Sequence, residues 1–181
     1  MSALANIYRA ATEFCDPNDI MALIDGDDEL LGVNVLKVFN SVYTKKKLDV
    51  LYSNFINSNR RDNKVGLGWS RAYTVDEKKF NLYRDFSTQM FPLRSFRVST
   101  FLKIPLENMQ DDAGVFFMSA SDQTICPQVL ELSCGRNDYL AEYHYFRNAG
   151  LGSNDMEVDP ELNIHIVWTV RNKRKRLTCD P

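Results

Sequence analysis

The sequence predicts an α/β protein with a mixed sheet flanked by helices, and three observations support this class. An apolar run at 20–24 (IMALI) is followed at once by acidic residues, which is typical of a buried, parallel-type strand that ends at a polar turn. Apolar residues then recur at helical spacing over 34–44, and LDVLY at 48–52 predicts a second strand. A helix between two such strands favours a parallel crossover.

The other elements are predicted from the same kinds of pattern. Apolar residues at helical spacing predict a helix over 3–15. The segment 54–68 is polar and rich in Gly and Asn, which indicates a loop. The segment 93–104 is compatible with a helix or a strand, and its β-branched residues favour a strand. Strands are expected at 139–146 and, from the alternating run NIHIVWTV, at 163–170.

A further helix is predicted over 122–133 from its boundaries as well as its apolar residues. Ser121 or Asp122 is a suitable N-cap, and Gly135 lies just past the end. Pro127 lacks an N–H group and is expected to distort the early turns of this helix.

The bulk composition limits the class of protein. A chain of 181 residues is expected to form one domain with a sizeable core. The 22 basic and 24 acidic residues give a net charge of −2, which does not favour a nucleic-acid partner. The basic run 171–176 (RNKRKR) is most simply a solvated charged end, and a nucleic-acid or nuclear-import patch is the weaker interpretation. No stretch approaches the roughly 20 apolar residues that span a bilayer, so no membrane segment is expected within this chain.

The four cysteines are not spaced as zinc ligands are. Cys126 and Cys134 lie among apolar residues, where a free cysteine behaves as a small hydrophobic side chain. We therefore expect reduced thiols in the core.

The chemistry of the sequence is concentrated in the string DGDD, residues Asp25, Gly26, Asp27 and Asp28, at the end of the first predicted strand. Ligands of α/β sheets bind outside the carboxyl ends of strands. Gly26 has no side chain, so a ligand can approach the backbone there. Adjacent carboxylates repel one another, and a divalent cation with a preference for oxygen ligands, Mg²⁺ or Mn²⁺, relieves that repulsion.

Two other interpretations of the DGDD string compete with a metal site. A calcium-binding EF-hand loop requires glycine at its sixth position and glutamate at its twelfth, where this chain has Leu30 and Leu36, so that loop is excluded. A solvated acidic turn before a helix is a simpler alternative, because Asp is favoured near a helix N-terminus. The residues alone leave the metal site and the acidic turn open.

The segment IMALIDGDDELLGVNVLKVFNSVY resembles the part of family 2 glycosyltransferases (GT-A fold) that carries the D-x-D motif. In that family an apolar strand ends in a DGDD-like string, and a helix with a VLxxxNxxY-like pattern follows. Val35, Leu36, Asn40 and Tyr43 stand in that arrangement here. The resemblance covers roughly residues 6–157.

Two later segments are similar to the same family. FFMSASDQTICPQVLELSCGR resembles the stretch in which an acidic residue, here Asp122, begins a helix that contains Pro and is closed by Gly. YHYFRNAGLGSND resembles the closing strand and the Asn-Asp pair near the end of the domain, here Asn154 and Asp155.

This resemblance implies a hexosyltransferase that moves a sugar, with inversion, from a nucleotide-diphosphate sugar to a hydroxyl of a carbohydrate, glycan or protein acceptor. Asp25 and Asp27 would hold Mn²⁺ or Mg²⁺ on the diphosphate, and Asp28 would be a neighbouring ligand or a sugar contact. Asp122 would take the proton from the acceptor hydroxyl, although a helix N-cap without a catalytic role is an alternative compatible with it. Trp69 could stack on an acceptor sugar or pack in the core.

The chain also departs from the family. Only residues 1–19 precede the D-x-D strand, whereas the family's nucleotide-binding βαβ unit is longer, so we expect a truncated GT-A-like domain over 1–158, then a C-terminal strand and basic tail over 159–181. Met156 follows the Asn-Asp pair where relatives often have His. A truncated, non-catalytic binding or interaction domain is therefore the alternative function. The chain as given is expected to be soluble, in the cytoplasm or joined to the Golgi or ER through a segment outside it.

Overall fold

The computed structural model describes residues 2–59, 64–85, 89–149, 158–174 and 176–178. Its centre is a six-stranded mixed sheet with the order β1-β5-β3-β6-β2, and β4 pairs with β3 outside this order. The strands are β1 (Ile20–Leu23), β2 (Glu29–Leu30), β3 (Val50–Asn59), β4 (Lys64–Leu67), β5 (Arg94–Arg97) and β6 (Asn137–Ala149). The helices are α1 (Ala3–Glu13), α2 (Val35–Lys46), α3 (Val75–Lys79), α4 (Val98–Phe101), α5 (Ser121–Leu132) and α6 (Pro160–Asn172), with a 3₁₀ turn at Leu106–Asn108.

The α/β class is confirmed, and the strand directions explain how the crossovers are arranged. β5 runs antiparallel to both β1 and β3, so β1 and β3 point the same way with β5 between them. β3 and β6 are parallel neighbours over most of their length. The crossover from β1 through α2 to β3 therefore skips one strand position, which β5 later fills.

The first strand differs from its prediction. We expected 20–24 to be buried and of the parallel type, but β1 stands at the end of the strand order and pairs antiparallel with β5. All four of its side chains are only partly buried. A short apolar run has the same appearance in an end strand covered by helices as in a central parallel strand, so the sequence could not distinguish them.

Apolar side chains cover both faces of the sheet. The first face packs on α2, and its buried residues are Val35, Phe39, Tyr43, Leu48, Leu51, Phe55, Leu93 and Tyr145. The second face packs on the remaining long helices, with Val50, Tyr52, Phe96, Phe101, Ile125, Val129, Ile166 and Val170 among its buried residues. The alternation of Val50 and Leu51 between the two sets follows from the two-residue period of a strand.

The segment 54–68 is a hairpin and not the predicted loop. β3 continues to Asn59, and β4 returns antiparallel to it, with Ile56 opposite Leu67. Strand ladders are made by backbone groups, so polar side chains do not prevent them. β3 also has β6 along its other edge, and this second partner supports a strand that the local sequence does not favour.

The segment 163–170 lies inside helix α6, so the predicted C-terminal strand is wrong. Only every second apolar group of the alternating run is covered: Ile166 and Val170 are buried, while Ile164 and Trp168 are largely exposed. The helix signals stand just before the run. Asp159 accepts the Leu162 N–H at 3.0 Å as the N-cap, and Pro160 occupies the first turn.

Three smaller predictions also have a definite outcome. The ambiguous segment 93–104 contains both a strand, β5, and a short helix, α4. Helix 122–133 is confirmed as α5 and contains Pro127, but its N-cap is Ala120 in the left-handed region (φ 54°), so neither Ser121 nor Asp122 caps it. Both therefore belong to the first helical turn.

The prediction of cysteines buried in the core is confirmed for Cys126 and is wrong for Cys134. Cys126 is a free thiol that is fully buried, whereas the side chain of Cys134 is exposed. Burial raises the pKa of Cys126 to about 12, which makes it an unreactive core group. Cys134 follows the end of α5 with a positive φ of 53°, and this turn points it out of the apolar layer.

Candidate functional site

The DGDD string forms a tight turn directly after β1, and β6 holds it in place. The Asp25 N–H donates to Tyr145 Oη at 2.9 Å. The Asn148 side-chain amide donates to the Asp27 carbonyl at 2.5 Å, and the Asn148 N–H donates to Asp28 Oδ1 at 2.8 Å. The turn is therefore fixed at three points to a strand that the chain reaches more than a hundred residues later.

The four residues of the turn have different surroundings. Asp25, Gly26 and Asp27 are exposed, whereas Asp28 is half-buried and its carboxylate accepts a backbone N–H group. Asp28 thus has a structural contact that the sequence did not reveal. A methyl group added at Gly26 would meet no protein atom within 4 Å, so the space beside this residue is open to a ligand.

Asp122 lies in the first turn of α5, with its side chain 32% exposed. Its Oδ1 accepts the N–H of the next residue, Gln123, at 2.7 Å. The other oxygen, Oδ2, points toward the guanidinium of Arg94, 3.7 Å from Nη1. A carboxylate in this position can exchange protons with solvent and still face the neighbouring charge.

Arg94 joins the two parts of the site, and sequence reasoning missed it. It stands on β5 opposite Leu23 of β1 and Tyr52 of β3. Its Nη2 lies 3.9 Å from Asp25 Oδ2, while Nη1 faces Asp122. Asp25 and Asp122 are distant in sequence, yet both lie within 4 Å of one guanidinium. The only local signal was a charged residue within a segment, FPLRSFRV, whose neighbours are mostly apolar.

The electrostatics of the site show an excess of negative charge. Burial raises the pKa of Asp25, Arg94 lowers it, and Asp28, Asp122 and Asp27 raise it further, with a net increase over the ordinary value. Loss of hydration around the Asp25 carboxyl group is the largest cause of this increase, and the attraction of Arg94 opposes it. Burial also raises the pKa of Tyr145, which keeps its hydroxyl protonated as a partner for the turn.

Trp69 is placed away from these carboxylates. Its ring is 58% exposed and lies against Phe55 and Phe91, with centroids 5.5 and 5.3 Å away. Both phenylalanines belong to the layer on the α2 face, whereas Arg94 and Asp122 lie on the opposite face. The Trp69 ring is thus part of an aromatic cluster at the surface, and its role toward an acceptor stays a prediction. Asn154 and Asp155 lie outside the described residues.

The residues of the turn fit a divalent cation that is shared with a substrate. In the part of the chain that the structure describes, no group of three or more His, Cys, Asp or Glu side chains forms a complete metal cage. Mg²⁺ is commonly held by one or two carboxylates, waters and substrate phosphates, and does not need such a cage. Asp25 and Asp27 offer exposed carboxylates of this kind.

Comparison with protein-family models and with curated proteins gave no match for this sequence. Within the described ranges, no helix has the length and apolarity needed to cross a membrane.

Proposed function

We propose that this chain acts as a metal-dependent glycosyltransferase that moves a sugar from a nucleotide-diphosphate donor to an acceptor hydroxyl. The observation that carries the proposal is the approach of Asp25 and Asp122 to the same guanidinium, at 3.9 and 3.7 Å. The resemblance assigns these two residues to the donor side and to the acceptor side of one reaction. Their proximity is what a single site for that reaction requires.

The donor side consists of the DGDD turn. Asp25 and Asp27 would hold Mn²⁺ or Mg²⁺, which would neutralise charge on the diphosphate leaving group. The hydrogen bond that Asp25 N–H donates to Tyr145 and the one that Asn148 donates to Asp27 orient the turn, so little reordering would accompany donor binding.

The acceptor side consists of Asp122. Its carboxylate would accept the proton of the acceptor hydroxyl as that oxygen attacks the sugar, and its partial exposure leaves room for the hydroxyl to reach it. Arg94 faces this carboxylate at 3.7 Å and would help to orient it toward the acceptor hydroxyl.

A non-catalytic interaction domain is the second candidate, and one observation favours it. β1 ends the strand order, and its outer edge has no strand beside it in the described residues. An open strand edge can accept a strand from another chain or segment. Such a domain would bind its partner with or without Mn²⁺.

The test of the first candidate is isothermal titration with UDP and with GDP, with and without Mn²⁺. We expect binding of one of them that depends on the metal and weakens at least about tenfold in Asp25→Ala and in Asp27→Ala, as is usual for disturbed metal sites. Asp76→Ala, which removes an exposed carboxylate from α3, serves as the matched control. Binding that is indifferent to Mn²⁺ and to both site variants would remove the assignment of this turn.

A further inference from the structure

Arg94 has few partners for a buried charged group. The residue is only 9% exposed, and its Nε is buried without a hydrogen-bond partner in the described part of the chain. The two ion pairs at 3.9 and 3.7 Å are longer than hydrogen bonds, which lie near 2.7–3.2 Å. A buried guanidinium has five N–H donors, and leaving them unused is costly. Such a group is expected to be completed by a ligand or by ordered water.

The geometry of the two gaps indicates what size of group would complete it. Each gap separates an Nη donor of Arg94 from a carboxylate oxygen of Asp25 or Asp122. An oxygen atom placed beside either gap can lie about 2.8 Å from the Nη atom of Arg94 and about 2.8 Å from the carboxylate oxygen. It would accept from the guanidinium and donate to the carboxylate, which requires one atom with both functions. A hydroxyl group has them.

The local charge selects a hydroxyl over a second anion. Asp25, Asp27, Asp28 and Asp122 act on one another within this site, and Arg94 is the cation that faces two of them. A free anionic group brought against Arg94 would also stand beside the carboxylates and be repelled. A neutral hydroxyl satisfies both kinds of charged group without adding charge.

We infer that Arg94 and Asp25 form a hydroxyl subsite that binds a hydroxyl group of the sugar carried by the donor, while the gap between Arg94 and Asp122 receives the acceptor hydroxyl. This inference rests on the proposed glycosyl transfer and makes Arg94 a residue that recognises the sugar and not the diphosphate. The gap between Nη2 of Arg94 and Asp25 can hold one hydroxyl, so a donor sugar with a free hydroxyl at that place is the preferred class. A deoxy-sugar that lacks this hydroxyl should bind less well.

The experiment compares a nucleotide sugar with its bare nucleotide. The full chain with Mn²⁺ is titrated with UDP, UDP-glucose, UDP-galactose, UDP-N-acetylglucosamine, GDP and GDP-mannose. In the wild-type protein we expect at least one nucleotide sugar to bind about tenfold more tightly than its diphosphate. In Arg94→Gln this gain should vanish, while the affinity for UDP or GDP stays within about twofold, because only one charge-assisted contact is lost. Arg97→Gln, from the same strand, is the control for loss of an arginine from β5.

The outcomes separate the two proposals. An equal loss of affinity for nucleotide and nucleotide sugar in Arg94→Gln would assign Arg94 to the phosphates and overturn the subsite alone. No change for either ligand would overturn it as well. No binding of any nucleotide to the wild-type protein would remove the glycosyltransferase proposal, and the subsite with it.

A ligand-side measurement keeps the subsite testable if Arg94→Gln does not fold. The wild-type protein is titrated with monodeoxy analogues of the nucleotide sugar that binds best. Loss of at least one ring hydroxyl should abolish the gain over the bare diphosphate. Equal affinity for all the deoxy analogues and the parent sugar would overturn the subsite.

Discussion

At the scale of single residues, the structure assigns roles that the sequence did not show. Asp28 and Asn148 fix the acidic turn through a backbone hydrogen bond, and Arg94 lies between the two carboxylates of the candidate site. None of these contacts has a local pattern, because each joins segments that are distant in the chain. The carboxylates themselves were predicted, since clustered acidic residues after a strand are visible in the sequence alone.

Gly68 shows how one residue limits the hairpin. A methyl group on Gly68 would lie 2.5 Å from the Phe55 ring and 2.6 Å from the Phe55 carbonyl oxygen. We expect Gly68→Ala to lower the free energy of unfolding by about 1–3 kcal/mol, which is the usual cost of overpacking. Gly66→Ala in β4, two residues earlier, is the control, because its added methyl would have its nearest contact at 4.0 Å. Urea unfolding of both variants measures this, and equal midpoints would contradict it.

Glu77 is expected to make stability depend on acid pH. It closes a capping box with Thr74 and pairs with Arg71, whose Nη2 lies 2.6 Å from Glu77 Oε1. The hydrogen bond from Arg71 lowers the pKa of Glu77 from 4.5 to about 2. A carboxyl group with a lowered pKa stabilises the fold above its unfolded value, and the contribution is lost as pH falls from about 4.5 to about 2.

The variant Glu77→Gln tests this pH dependence. It should lose about 1–3 kcal/mol of unfolding free energy at pH 7, because a nearly buried ionic hydrogen-bond network is broken. The difference from wild type should shrink between pH 4.5 and pH 2. Asp76→Asn, an exposed neighbour in α3, is the control. A difference that stays constant across this pH range would show that the charge of Glu77 is not the cause.

At the scale of elements, the sequence predicted several helices from local patterns but did not predict the strand segments that depend on long-range pairing. α1, α2 and α5 were predicted, because each has apolar residues at helical spacing over three turns. The outer half of β3 and the whole of β4 were not, because they are made stable by pairing with each other and with β6. Helix α6 was missed because its alternating residues suited a strand, although its start is marked by the N-cap Asp159 and the following proline.

A buried ion pair joins two of these elements, α5 and α6. Arg84, after α3, lies 2.6 Å from Glu131 of α5, and both side chains are fully buried. Arg84 also donates to the Val170 carbonyl of α6 at 2.7 Å, and Glu131 accepts the Leu177 N–H at 2.9 Å. The pair therefore connects α5 to the C-terminal helix and to the segment after it.

Removing one partner of the Arg84–Glu131 ion pair should destabilise the fold far more than removing both. Glu131→Gln leaves the Arg84 charge buried and unpaired, and we expect a loss of about 3–5 kcal/mol in unfolding free energy. The double variant Arg84→Met with Glu131→Leu should be less destabilised than Glu131→Gln, because no charge remains uncompensated. Chemical unfolding of the single and double variants gives the comparison. A double variant as unstable as the single one would show that the pair acts through shape and not through charge.

At the scale of the whole molecule, the class of fold and the position of the acidic turn could be predicted from local patterns, whereas the meeting of the turn with α5 was expected only from the family resemblance. That meeting depends on β5 entering between β1 and β3, which is a property of topology and not of any segment. It brings Asp122 of α5 toward Asp25 across Arg94. The expected involvement of Trp69 was a guess from residue type, and the fold places that ring in the layer on the other face of the sheet.

The central claim is that this chain transfers a sugar from a nucleotide-sugar donor to an acceptor. The measurement is release of UDP or GDP from a panel of nucleotide sugars with Mn²⁺ and a mixture of glycan acceptors, for the wild-type chain and for Asp122→Asn. We expect release from at least one donor that requires both metal and acceptor and falls about 10²–10⁴-fold in the variant, the usual range for loss of a general base. A wild-type chain that releases no nucleotide from any donor, or a variant as active as wild type, would contradict the account.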